Sequence, residues 1–327
     1  MKRLAAILAS VAIISLSIWF TTSRDGDDNE AGGGRDGSSF VVACAADLGT
    51  LCGDLAESVD GVTLSIADPA ETIESLLAGD GPDAWLTATP WPGLLETRAT
   101  VAGTPRTSIG ADDALAQRSV DLIISELWRS AVVNRCGDPV DWACLVDAVG
   151  RPAAELGAPG GGAFKLGIAQ PSGIDGVASL GALLQGWFTS PAVDQPDYDG
   201  FDLEDRFTTP LSTLRRNGGT DRDPFNMLVT RPGTYGATLT LGGAQRLAGL
   251  SRDDLTLSAL ALRSTATARL VVVADTAEAR DEALRVLGRD DLVRLAVQHG
   301  WTETDDSPDG LPNPALLDLV ITKWMDR

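Results

Sequence analysis

The chain has 327 residues, 44% of them hydrophobic, and a formal net charge of −20. That length exceeds one typical domain, so two lobes around a sizeable core are expected. The charge excludes a nucleic-acid partner, whose phosphates need a basic face, and argues equally against docking on anionic lipid.

The chain opens with a targeting segment at 1–20. Lys2 and Arg3 form a positive start, and Leu4–Phe20 is a 17-residue run without charge. This reads as a signal peptide or an uncleaved signal anchor. The anchor is favoured because no good small-x-small cleavage site follows and Trp19-Phe20 suits a membrane interface. Either way the rest of the chain is expected outside the cytoplasm, membrane-anchored or secreted. Residues 21–38 hold five glycines among scattered acids, a flexible linker with nothing to pack.

Ser39–Cys44 predicts a short buried strand, and Ala45–Ser58 a helix with Asp47 near its start. Val62–Ala67 alternates as a strand. Pro69–Leu77 predicts a helix with Asp68 as N-cap, Pro69 at its first position and Glu71 three residues past the cap. Ala84–Thr87 is a third strand. The order βαβαβ implies parallel strands with right-handed crossovers. In such sheets ligands sit outside the carboxyl ends of the strands, which is where Thr87 and Thr89 fall. Ser119–Asn134 reads as a crossing into a second lobe. A small turn at Cys136–Cys144 and a short helix at Leu145–Val149 follow. Phe164–Ala169 predicts another buried strand, and a helix runs from about Asp175 to Phe188. Asp194–Asp205 reads as acidic and irregular, Phe207–Arg215 as a helix turn. Leu257–Leu262 is the candidate return crossing and Arg269–Ala274 a strand back in the first lobe. Helices are expected at Thr276–Leu287, Asp290–Gln298 and Pro314–Trp324. The expected division is therefore 39–128 with 257–327 as lobe 1 and 129–256 as lobe 2.

Four cysteines form two local pairs, Cys44 with Cys52 and Cys136 with Cys144, in an even count that suits an oxidising compartment. Three connectivities are possible, and loop closure favours the two local bridges. A metal site is the weaker reading: the spacing is wrong for zinc knuckles and His299 is far off in sequence.

The chain resembles the periplasmic binding protein-like II superfamily, the extracellular solute-binding proteins of ABC transporters, nearest in style to the molybdate-type group. Val41–Leu48 resembles the opening strand and ligand loop, and Gly79–Ala88 the G-x-x-A-D-V strand. Leu166–Gly173 (LGIAQPSG) resembles the second-lobe strand and loop. Thr276–Gly300 resembles the C-terminal helix pair, closing on Gly300-Trp301. Together these cover about residues 39–301. The Cys136–Cys144 loop with Trp142 inside it resembles exported binding proteins of high-GC Gram-positive, actinobacterial-like chains. The resemblance implies an α/β, two-lobe type II fold, with mixed sheets flanked by helices and a hinge of two crossing segments. It also implies a small-molecule solute and, as partner, an ABC permease or another envelope protein. Where the molybdate group places serines, this chain has Ala46-Asp47 and Ala67-Asp68, and carboxylates repel an anion.

The candidate ligand-binding residues are Asp47, Thr87, Thr89, Ser130, Gln170, Ser172, Gly173, Arg231 and Tyr235. Asp47 follows a strand and starts a helix, so capping competes with ligand contact. Gln170, Ser172 and Gly173 precede a helix whose free N–H groups suit an oxyanion or carboxylate. Ser130 lies at the crossing and is either a ligand contact or a hinge residue. Arg231 suits a carboxylate, and Tyr235 stands where the family often offers an aromatic contact. Trp85 is expected in the core, and Trp91, between two prolines, as the better exposed of the two. His299 reads as a helix C-terminal cap.

No catalytic repertoire is legible: no G-x-S-x-G elbow, P-loop, H-E-x-x-H or G-x-G-x-x-G turn occurs, and no cofactor is implied. The expected function is non-enzymatic capture of a small solute between two lobes, for an ABC transporter. The alternative is a membrane-anchored binding or sensing domain that partners another envelope protein without transport.

Overall fold

Phe40–Ala45 (β1) is an apolar strand at the centre of a parallel trio, paired with Val62–Ala67 (β2) on one side and Ala84–Ala88 (β3) on the other. The fold is given by a computed structural model that describes residues 40–59, 61–191, 211–216, 223–250, 256–305 and 307–325. The targeting segment and linker lie outside the described residues, as does Asp194–Asp205. Among the described residues no helix is long and apolar enough to cross a membrane.

Between the strands run α1 (Gly49–Ser58) and α2 (Pro69–Ala78). Asp68 caps α2 as its sequence predicts, its Oδ1 accepting the Ala70 N–H at 2.9 Å. The helix expected over Ala45–Ser58 instead begins with a 3-10 turn at Ala46–Leu48. β3 is buried along its whole length, flanked by β1 and β8 (Thr267–Val273) and packed against helices.

The strand order is β2-β1-β3-β8-β4-β6-β5, where β4 is Ala116–Ser125, β5 Leu166–Gly167 and β6 Ala237–Leu241, with β7 (Leu257–Leu260) also paired to β4. The order turns on β4 (Ala116–Ser125), the longest strand at 10 residues. Its first part, Ala116–Ser119, pairs antiparallel with β8. Its second part pairs antiparallel with β6 (Ala237–Leu241) through Val120–Ile124 and with β7 (Leu257–Leu260) through Leu122–Ser125. One strand thus carries the chain from a first half of the sheet into a second, and β7 followed by β8 carries it back. The two crossings are those expected at Ser119–Asn134 and Leu257–Leu262. The outward one is strand only to Ser125, after which α4 (Glu126–Cys136) begins.

The second half adds α5 (Trp142–Ala148), α6 (Ala153–Leu156) and β5, which is only Leu166–Gly167 of the six-residue strand expected there. α7 (Ile174–Thr189) is almost wholly buried, as its apolar run all round requires. A helix at 211–216 (α8), α9 (Pro224–Thr230) and α10 (Gly243–Ala248) complete it. The chain closes with α11 (Ala277–Leu287), α12 (Arg289–Gln298) and α13 (Pro314–Met325). α3 (Trp91–Val101) follows β3. Trp91 is fully buried at its start, not exposed as the flanking prolines suggested, because that first turn packs into the core.

Both local disulfides form: Cys44–Cys52 ties β1 to α1, and Cys136–Cys144 ties α4 to α5. The His299 backbone closes α12, and its ring reaches α1, with Nε2 2.8 Å from Asp54 and Nδ1 3.4 Å from Thr50.

Candidate functional site

The parallel register brings the carboxyl ends of β1, β2 and β3 to one edge of the sheet. Asp47, Asp68 and Thr89 follow those three ends. Asp47 sits in the 3-10 turn after β1, and the Cys44–Cys52 bridge spans that turn and fixes it.

The second element of the site is the start of α7. Gly173 is its N-cap residue in extended backbone, with no side chain to cap the helix. The first N–H groups of a helix have no intrahelical partner and carry partial positive charge. Here the missing acceptor comes from 128 residues away: Asp47 Oδ2 accepts the Asp175 N–H at 3.3 Å, and the carboxylate also takes the Ile174 N–H. The approach is so close that a Cβ at Gly173 would lie 2.4 Å from Asp47 Oδ2. Asp47 is exposed as a whole residue, yet desolvation of its carboxyl group raises its pKa above the usual carboxylate value. The two N–H bonds oppose that shift, and the Asp68 charge adds to it.

Behind Asp47 lies a second carboxylate. Asp175, the second residue of α7, accepts the Leu241 N–H at 2.7 Å and the Ser179 hydroxyl at 3.2 Å on Oδ1, and the Thr240 hydroxyl at 2.8 Å on Oδ2. Arg246 donates to Thr240 Oγ1 at 3.1 Å, and its other nitrogen holds both Asp223 oxygens at 2.8 and 2.7 Å. Burial pushes Asp175 up to about 6, against the pull of the Leu241 N–H, the Thr240 hydroxyl and the Arg246 charge. Arg118, on β4, donates to the carbonyls of His299 and Gly300 and lies over the Trp301 ring at 4.9 Å. Burial lowers its pKa, and the charge of Asp175 opposes that.

The structure therefore brings together Asp47 and Gly173, with Ser172 half-buried beside them and Gln170 exposed at the rim. It closes Thr87, Thr89 and Tyr235 off from a ligand. Thr87 is fully buried on β3, and its hydroxyl meets neither solvent nor a partner. The Thr89 hydroxyl accepts the Arg269 N–H at 2.9 Å, so it is spent on strand pairing. Tyr235 is buried in a small cluster with Ile123, Phe225, Leu228 and Val229. Ser130 is exposed within α4, past the strand part of the crossing, and Arg231 is exposed at the end of α9. The sequence reading missed Asp175, Thr240, Arg246 and Arg118 as site residues. One signal was present: an acid in the first turn of a nearly all-apolar helix needs partners.

No protein-family model matches the chain, and no curated protein does. Among solved structures it is similar to apo FutA2 from Synechocystis PCC6803, at 15% identity and a TM-score of 0.53, over 88% of this chain and 98% of that one. It is also similar to a periplasmic thiamin binding protein, at 11% identity and a TM-score of 0.51, over 90% of this chain and 99% of that one. The chain has the two-lobe fold of periplasmic binding proteins. At these identities the likeness speaks for the fold alone. Asp47 follows β1, in the half of the sheet before the β4 crossing, and α7 belongs to the half after it.

Proposed function

We propose that the chain is an extracytoplasmic, non-enzymatic solute-binding protein that takes a small solute between its lobes. The observation that carries this reading is the meeting of the β1 end with the start of α7, on a fold whose halves are joined through β4 and through β7 followed by β8. Asp47, Gln170, Ser172 and Gly173 are its proposed ligand contacts, and lobe 1 comprises 39–128 and 257–327, with 129–256 as lobe 2. The name of one similar structure, a thiamin binding protein, supports a small solute as a class without identifying this one. A molybdate-type oxyanion is disfavoured, since Asp47 and Asp68 stand where a tetrahedral anion would need hydroxyls and N–H groups. An ABC permease fits as partner, with the N-terminal segment as signal or anchor.

A second reading is favoured by one contact. Asp47 already fills the α7 N-terminus, which suits an anchored sensing domain that binds another envelope protein and transports nothing. A thermal-shift screen with anions, amino acids, sugars and metal ions tests the first reading. A solute at 100 times its dissociation constant adds about 2.7 kcal/mol and a clear rise in Tm. A flat response across all classes would remove the solute-binding reading.

A further inference from the structure

We propose that Asp47 is a built-in latch: its carboxylate, seated on the N–H groups that open α7, ties the end of β1 to the second half of the molecule. The proposal goes beyond solute binding and does not depend on any solute.

Three features make this a built contact. Asp47 reaches its partner across 128 residues of sequence, so local chain geometry does not impose it. Its turn is clamped by the Cys44–Cys52 bridge, which holds the carboxylate at the sheet edge with little freedom. Position 173 is a glycine, and any Cβ there would collide with both carboxylate oxygens, at 2.4 and 2.8 Å. The seat therefore accommodates the carboxylate only because the residue beneath it lacks a side chain.

The charged groups around Asp47 do not supply another reason for its position. Asp68, at the start of α2, and Asp175, on α7, are both acidic and repel it. Arg246 and Arg118 act on Asp175. Among the described residues Asp47 makes no ion pair with a basic side chain. Its attractive partners are the helix N–H groups, so the contact is a charge-assisted hydrogen bond across the two halves. Any carboxylate-bearing ligand aimed at this helix end must first displace Asp47.

The test is hydrogen exchange of the full-length protein as wild type, Asp47→Ala and Gly173→Ala, with and without formate. The expected result is exchange about tenfold faster or more at the Ile174 and Asp175 amides in both variants, with β3 amides unchanged. Formate should restore slow exchange in Asp47→Ala, where the seat is empty, and not in Gly173→Ala, where the methyl group intrudes on it. Small-angle scattering should show a larger radius of gyration for both variants. If β3 also accelerates in Asp47→Ala, Gly173→Ala decides alone. Wild-type exchange at Ile174 and Asp175 in Gly173→Ala, indifference of a folded Asp47→Ala to formate, or an unchanged radius of gyration would each overturn the latch. Solute binding is read separately by thermal shift, so either idea can fail alone.

Discussion

Asp175→Asn will flatten the pH dependence of stability, and Asp175→Ala will destabilise the chain most at acidic pH. The folded pKa of Asp175 is raised to about 6, so the folded state binds a proton more tightly than the unfolded chain does. Its favourable contribution is complete below about pH 4 and is lost as pH rises to about 6. A shift of that size corresponds to roughly 3 kcal/mol. Asp47 is shifted the same way and adds to the slope. Asparagine keeps an acceptor for the Leu241 N–H but cannot ionise, so this share of the slope disappears. Alanine leaves the Leu241 N–H and the Thr240 hydroxyl without their acceptor, at about 2–3 kcal/mol near pH 5. That penalty shrinks near pH 8, where the wild type already carries a buried charge. Denaturant midpoints at pH 5 and pH 8 check this, and an Asp175→Asn slope equal to the wild type's would contradict it.

Gly176→Ala is the second large effect. Gly176 lies in the first turn of α7, and a Cβ there would sit 2.0 Å from the Gln170 carbonyl oxygen and 2.4 Å from its carbon. Those are backbone atoms of the loop that leads into the helix, so no side chain can swing aside. Either the helix start or the 170–173 loop must move, costing about 3 kcal/mol. Gly53 gives the comparison: it lies in α1 with nothing within 4 Å of its would-be Cβ. Gly53→Ala should stabilise by about 0.5–1 kcal/mol through helix propensity alone. Chemical denaturation of the two variants separates packing from propensity, and equal midpoints would contradict the close approach.

Local signals in the chain carried much of the fold. β1, β2 and β3 showed as apolar runs bounded by turn residues, and α2 announced itself by Asp68-Pro69 and Glu71. The return crossing at β7 and the pair α11–α12 were also legible. β6 was missed although ATLTL alternates, since it is buried on both faces and set among glycines. β5 shrank to two residues because its one strand neighbour, β6, pairs with only Leu166 and Gly167. The site was harder. Thr87 and Thr89 follow the general rule for strand ends, but β8 inserts antiparallel beside β3 and covers both. Asp47 was legible as an acid at a helix start, yet the helix it caps is α7, not α1. No local pattern encodes a partner 128 residues away.

The central claim is that a small solute is held where the β1 end meets the start of α7. Titration calorimetry of the solute that raises Tm, on wild type and Gly176→Ala, tests it most directly. The account predicts one solute per wild-type chain and at least about a tenfold loss of affinity, about 1.4 kcal/mol, when the 170–173 loop is displaced. Unchanged affinity in a folded Gly176→Ala chain would place the solute elsewhere and contradict the account.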